Sequence, residues 1–235
     1  MIVEYVKIVE KYYKLCYDGG ERREMILKFR TKEKGRNSMS DVLNRISGLS
    51  SEDVLRLYGN SHNVTTDILS IAENMGIDVF LADFSDIENN FNLKKGDVLG
   101  CIVDEDEENK LKIMLQNELA PRFDSLSNEE KLKLLRRRQR FTLAHEIAHG
   151  CLHLAHQEIK FKLDYHPEPG IDVIENVEYE ANVFAGELLI PKDTLISVCK
   201  KIISPSIDTL AEIFDVSHSV MRARIKHLGL LNLIN

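Results

Sequence analysis

Paired cysteines, an excess of positive charge and any long apolar run are all missing from this 235-residue chain, and each absence narrows what it can be. Its four cysteines, Cys16, Cys101, Cys151 and Cys199, are scattered with no Cys-x-x-Cys among them, which argues against a disulfide framework and against a thiolate zinc site. They read as small buried apolar residues in a reducing compartment. Lys and Arg number 31 against 38 Asp and Glu, a formal net charge of -7, so no global positive field draws the chain to nucleic acid or anionic lipid. No apolar run is long enough to span a membrane. The opening residues, MIVEYVKIVEKYYKLCY, are interrupted by Glu4, Lys7, Glu10 and Lys11, so they hold no signal-peptide core. The expectation is a cytoplasmic protein without membrane contact. Internal repeats are absent too, and a hydrophobic content of 43% suffices for one good-sized core, or a core with a smaller appendage.

What is present reads mostly as helix. Ile2, Val6, Val9, Tyr13 and Cys16 recur at helical spacing before Asp18-Gly19-Gly20, and residues 1–60 are expected to be a helical extension whose role the sequence does not reveal. Short helices are expected at Asp41–Ile46 and Ser51–Leu57, and an amphipathic one over 65–75 that stops near Gly76. Residues 77–82, IDVFLA, have strand character, and DVLGCIVD and KLKIMLQ alternate as an antiparallel hairpin joined by the acidic turn Glu105–Asn109. Ser127-Asn-Glu-Glu130 has the form of a capping box, so a long helix should start there and run through KLKLLRRRQRFTLAHEIAHGCLH. Its cations from Lys131 to Arg140 read as a solvated face. Past the turn formers His166-Pro-Glu-Pro-Gly170, a further helix is expected from about Asp172 to Leu189, ending before Pro191.

The chemical signal lies at His145-Glu146-Ile147-Ala148-His149, a His-Glu-x-x-His pattern on a segment that independently reads as helix. Side chains at i and i+4 share a helical face, so the two imidazoles can converge on one ion. Glu146 then stands beside the metal, where a carboxylate can take a proton from water. A catalytic zinc needs a third protein ligand and an open position. Downstream, Glu178, Ala181, Asn182 and Ala185 share a face: a carboxylate for the metal, an amide one turn later to accept a hydrogen bond from the far nitrogen of a ligating histidine, and alanines that let two helices approach closely. Glu180 points about 200° around the helix from Glu178 and competes with it for the ligand role, with the face argument favouring Glu178. His153 is about 12 Å along the helix from His145, too far for one ion to take all three histidines, and it reads as a supporting or surface residue. The elongated pattern with a glycine and a third histidine fails, because Leu152 and Ala155 hold the required positions and His156 comes one residue late. Tyr165, His166 and Tyr179 are candidates for stabilising an oxyanion, and nothing in the spacing selects one.

Two segments, RQRFTLAHEIAHGCLH (138–153) and EYEANVFAGELLIP (178–191), resemble the paired signatures of the ImmA/IrrE-type metallopeptidases. The resemblance implies that Glu178, four residues before Asn182, is the third ligand, which makes the site a glutamate-zincin with Zn2+ held by His145, His149 and Glu178. It also implies an α+β fold with a mainly helical zincin-like core over 65–191 and a small antiparallel or mixed sheet. The implied activity is that of cytosolic bacterial proteases of phages and mobile elements that cleave helix-turn-helix repressors under stress. The KLKIMLQ strand, as a sheet edge near the metal, could pair with an extended substrate.

Residues 192–235 are expected to form a helix-turn-helix-like segment, with a tight turn at Asp215-Val-Ser217 and Leu210, Ala211, Phe214, Val220 and Ile225 facing inward. Asp215 stands where such turns usually carry glycine. Arg222, Arg224 and Lys226 are enough for a few phosphate contacts, but DNA contact is the lesser expectation and a structural or substrate-docking role the default. The competing function is a DNA-binding or metal-sensing regulator whose metal site is not catalytic.

Overall fold

A computed structural model describes residues 39–60, 63–90, 92–105, 109–156, 161–165 and 175–234. The helix expected over 2–17, the centre of the acidic turn and the loop at 166–170 lie outside them. Polar caps start the first helices, satisfying amides that have no partner within the first turn. Ser40 Oγ accepts from the Leu43 amide at 3.2 Å to open α1 (Asp41–Ile46). Ser50 and Asp53 form a reciprocal capping box at α2 (Ser51–Tyr58). The helix expected over 65–75 starts later, as α3 (Ile68–Met75), because the Asp67 side chain caps it by accepting from the Ser70 amide. The two preceding hydroxyls are used elsewhere: Thr65 donates to Ile213 O at 2.7 Å and Thr66 to Leu188 O at 2.8 Å. Gly76 ends α3 with a φ of 81°, a left-handed conformation that glycine adopts without steric cost.

Strands β1 (Ile77–Ala82), β2 (Val98–Glu105), β3 (Lys110–Gln116) and β4 (Phe161–Tyr165) form one mixed sheet in the order β1-β3-β2-β4. The antiparallel hairpin is present, with Ile102 opposite Ile113. β1 pairs in parallel with β3, Ile77 opposite Leu111, and β4 runs antiparallel to β2. KLKIMLQ is therefore an interior strand, occupied on one side by its hairpin partner and on the other by β1, and the expectation that it offers an edge to substrate is corrected. Alternation along the hairpin divides two cores. Ile102, Leu111, Ile113 and Leu115 join the main helical core, while Cys101, Val103 and Met114 pack with Phe84 and Ile87, in and just before the short helix α4 (Ser85–Asn90). A Cβ at Gly100 would lie 2.7 Å from Thr142 Cγ2 and 2.8 Å from Met114 O, so the bare backbone there is what lets the next helix lie so near the sheet.

That helix is α5 (Asn128–Leu152), followed by α6 (Glu175–Leu189), α7 (Lys192–Lys201), α8 (Ile207–Phe214) and α9 (His218–His227). The fold is α+β and mainly helical. α8 and α9 make the expected helix-turn-helix, with Asp215 left-handed at φ 51° and ψ 52°. Leu210, Ala211, Phe214, Met221 and Ile225 are buried in the same cluster as Leu143 and Ile147 of α5; Val220 is only partly buried against it.

The basic stretch of α5 is not a purely solvated face. Arg136 donates to Asp215 Oδ1 at 2.7 Å and Arg137 Nε to the same oxygen at 3.2 Å. Arg140 Nε reaches the Asp215 carbonyl at 3.2 Å while its other end donates to Thr66 O at 2.9 Å. Lys133 and Arg137 pair with Glu212 at 2.7 and 2.9 Å. Their acidic partners, Glu212 and Asp215, lie over 70 residues downstream in the chain, beyond the reach of local pattern. Arg224 also departs from expectation. At 6% exposure it donates to Ile190 O at 3.1 Å and to Glu187 at 3.3 Å, tying α9 to α6 and leaving Arg222 and Lys226 as the exposed cations of the proposed phosphate trio.

Burial pushes the Asp215 carboxyl up, but hydrogen bonds from Arg136 and Arg137 and the charges around it outweigh that, holding it below its usual 3.8. A carboxyl depressed in the folded state adds stability above its unfolded value, and that stability is lost as pH falls through the folded one. Asp215→Asn tolerates the left-handed backbone but leaves Arg137 beside a neutral amide. It should lower unfolding stability by about 1–3 kcal/mol in urea titrations at pH 7, and the gap to the wild type should close below about pH 4.

Candidate metal centre

The reciprocal capping box starts α5: the Glu130 amide donates to Ser127 Oγ at 3.3 Å and the Ser127 amide to Glu130 Oε2 at 2.9 Å. From Thr142 to Cys151 every residue of this helix is buried, because the hairpin packs on one side and α6 on another. Such a stretch should be apolar all round. Instead it holds His145, Glu146 and His149 at 3%, 0% and 0% exposure, and polar groups so enclosed are costly unless their atoms are engaged. α6 approaches over Ala181 and Ala185, both fully buried, and brings Glu178 and Asn182 to the histidines.

His145 Nε2 and His149 Nε2 are 2.9 Å apart. Glu178 Oε2 lies 3.2 Å from the first and Glu178 Oε1 3.7 Å from the second. Four ligands at about 2.0–2.1 Å around a tetrahedral ion stand about 3.3 Å from one another, a spacing that these three distances bracket. Among the described residues this trio is the group of donors that could hold a metal, with all its ligand atoms within 4.8 Å of one another.

Hydrogen bonding behind the rings sets which atoms face inward. Asn182 Oδ1 is 3.1 Å from His145 Nδ1. An amide oxygen only accepts, so Nδ1 carries the proton and a neutral His145 presents a bare lone pair at Nε2. His153 Nε2 lies 3.0 Å from Glu180 Oε2, and its Nδ1 lies 3.0 Å from His149 Nδ1. The carboxylate takes the proton on His153 Nε2, His153 Nδ1 accepts from His149 Nδ1, and His149 Nε2 is bare as well. With these tautomers the two Nε2 lone pairs and the Glu178 carboxylate are turned toward one point, where a cation would hold them together. A divalent cation suits this donor set: imidazole and carboxylate ligands of mixed type, three in number, fit a site that keeps one position open.

Glu146 is not among the converging atoms. Burial raises the Cys101 thiol well above its ordinary range and the Glu146 charge adds to this, which puts the carboxylate within electrostatic reach of β2. Glu180, the competing ligand, turns away with 58% of its side chain exposed and engages His153. Tyr179 is 60% exposed, while the side chains of Tyr165 and His156, and the whole of His166, lie outside the described residues. Of the chain from Glu180 through His153 to His149, the sequence suggests only His153 as a supporting residue. Its signal was the one-turn repeat 145, 149, 153, but the partner that gives it meaning sits on another helix.

Residues 133–226, from the first third of α5 to the end of α9, match the model of a peptidase family, M78, described as the IrrE N-terminal-like domain. The resemblance to the ImmA/IrrE-type metallopeptidases is borne out over this stretch. No curated protein matches the chain.

Proposed function

On the premise that residues 133–226 are an IrrE N-terminal-like peptidase domain, we propose that the chain is a cytoplasmic zinc-dependent endopeptidase that cuts a helix-turn-helix transcriptional repressor. The observation that carries this reading is the convergence of the His145 and His149 Nε2 lone pairs and the Glu178 carboxylate, beside a wholly buried acid, Glu146. His145, His149 and Glu178 hold the ion, and Asn182 orients His145. Zinc, when bound, supplies a Lewis acid that polarises the scissile carbonyl and makes water acidic enough to attack near neutral pH. Glu146 takes the proton from the attacking water and delivers it to the departing amine nitrogen. Burial keeps that carboxylate from being solvated between the two transfers.

The repressor as substrate rests on the family resemblance. β4 supports it physically: among the described residues it pairs only with β2, so its outer edge can take up an extended substrate segment through backbone hydrogen bonds. DNA binding is not part of this reading, since Arg224 is committed to Ile190 and Glu187. A cytoplasmic setting accords with the buried free thiols Cys101 and Cys151 and with the lack, among the described residues, of any helix long and apolar enough to cross a membrane. The test is incubation of the zinc-loaded protein with helix-turn-helix repressors from the genome that encodes it. Discrete fragments that vanish with a chelator and return with zinc are expected. An intact repressor under all conditions removes that substrate, and no cleavage of any unfolded protein or peptide removes the peptidase.

A further inference from the structure

We infer that His153 and Glu180 are a positioning pair that fixes the His149 ring for the metal, an inference that rests on the metal-site reading above. The two ligand histidines are held differently. His145 is backed by a neutral amide, Asn182 Oδ1 at 3.1 Å. His149 is backed by a second imidazole, which is itself held by a carboxylate, in two steps of 3.0 Å each.

The helix ends make this arrangement available. His153 is the residue that closes α5, with φ −122° and ψ −43°, so its ring leaves the helical path and lies 5.1 Å from the His149 ring, tilted 51° to it. Its side chain is 9% exposed, so water does not compete for its two hydrogen bonds, while Glu180 is 58% exposed and retains most of its hydration. Position i+2 explains the division of labour on α6. Glu178 faces the histidine pair, and Glu180, about 200° further round, reaches past the end of α5 to the outer histidine. One helix thereby supplies both the acid that meets the ion and the acid that anchors the ligand opposite.

The physical effect is twofold. The chain of bonds selects the His149 tautomer whose Nε2 is bare, and it stops rotation of the ring about its long axis. It also hands part of the carboxylate charge to the ligand, which makes Nε2 a better donor. A clip that merely fastened α5 to α6 would change the stability of the metal-free protein. A positioning pair changes metal affinity.

The test is a double-mutant cycle on zinc affinity in the full chain, read by competition with a chromophoric chelator, alongside melting of the metal-free proteins. His153→Leu is expected to weaken zinc about 10–100-fold, and Glu180→Gln by about the lower end of that range. The double variant should be no weaker than His153→Leu alone, because Glu180 acts only through His153. Glu180→Gln, a change at an exposed position, should leave metal-free melting as in the wild type, which keeps the test valid if His153→Leu folds poorly. Wild-type zinc affinity in Glu180→Gln, or losses that add in the double variant, would overturn the pair. A wild-type protein that takes up no zinc overturns the metal site itself. Zinc bound by the wild type and lost in Glu178→Ala, but unchanged in both new variants, overturns only this inference.

Discussion

Glu146→Gln should bind zinc as tightly as the wild type and cleave its substrate about 10²–10⁴-fold more slowly, the usual loss when a positioned acid–base group is removed. The substitution is nearly isosteric, so a residue with 0% exposure keeps its packing. It stands outside the trio whose atoms converge, so metal retention is expected. What disappears is the ability to accept and return a proton, since an amide can orient water but cannot take its hydrogen. Zinc content by mass spectrometry together with the initial cleavage rate checks both halves. A variant that cuts at the wild-type rate would end the mechanism. A metal-sensing regulator with no catalysis shows no activity in either protein, so the same measurement separates the two functions.

Glu178→Ala should weaken zinc more than about 100-fold, beyond the range typical for supporting residues. The change leaves two neutral imidazoles 2.9 Å apart and takes away the one anion of the ligand set. A divalent ion then loses a third of its protein donors and all of their formal charge. Glu178 has 34% of its side chain exposed, so its removal opens little void in the core, and the metal-free variant should melt close to the wild type. Chelator competition gives the affinity. An unaltered zinc content would strike Glu178 from the ligand set.

The features legible in the sequence are those whose physics is local. The capping box at Ser127 and Glu130 spans four residues, and the pattern from His145 to His149 spans five, so a helix and a pair of facing imidazoles follow without knowledge of the rest of the chain. The shared face of Glu178 and Asn182 is of the same kind, and the structure brings both to the histidines. The hairpin was readable because alternation and a short acidic turn sit side by side.

What the sequence did not disclose is non-local. The parallel pairing of β1 with β3 depends on segments about 30 residues apart meeting, and no alternation within either strand distinguishes an edge from an interior. α4 carries the polar sequence SDIENN and is held by Asp83 accepting from the Ser85 amide at 2.9 Å and by burial of Ile87 and Glu88. The arginines of α5 looked solvated because their counter-charges, Glu212 and Asp215, belong to another helix pair. Glu180 could be read as turned from the ion, but not as the anchor of His153, for the same reason.

Those arginines bear on how far the protein can be shortened. A chain cut after Pro191 would shed Leu210, Phe214, Met221 and Ile225 from the interior and take Glu212 and Asp215 away from Arg137, and Asp215 away from Arg140. The last two helices are thus part of the main core that seats α5, and a chain trimmed to end at Pro191 should fail to hold its shape.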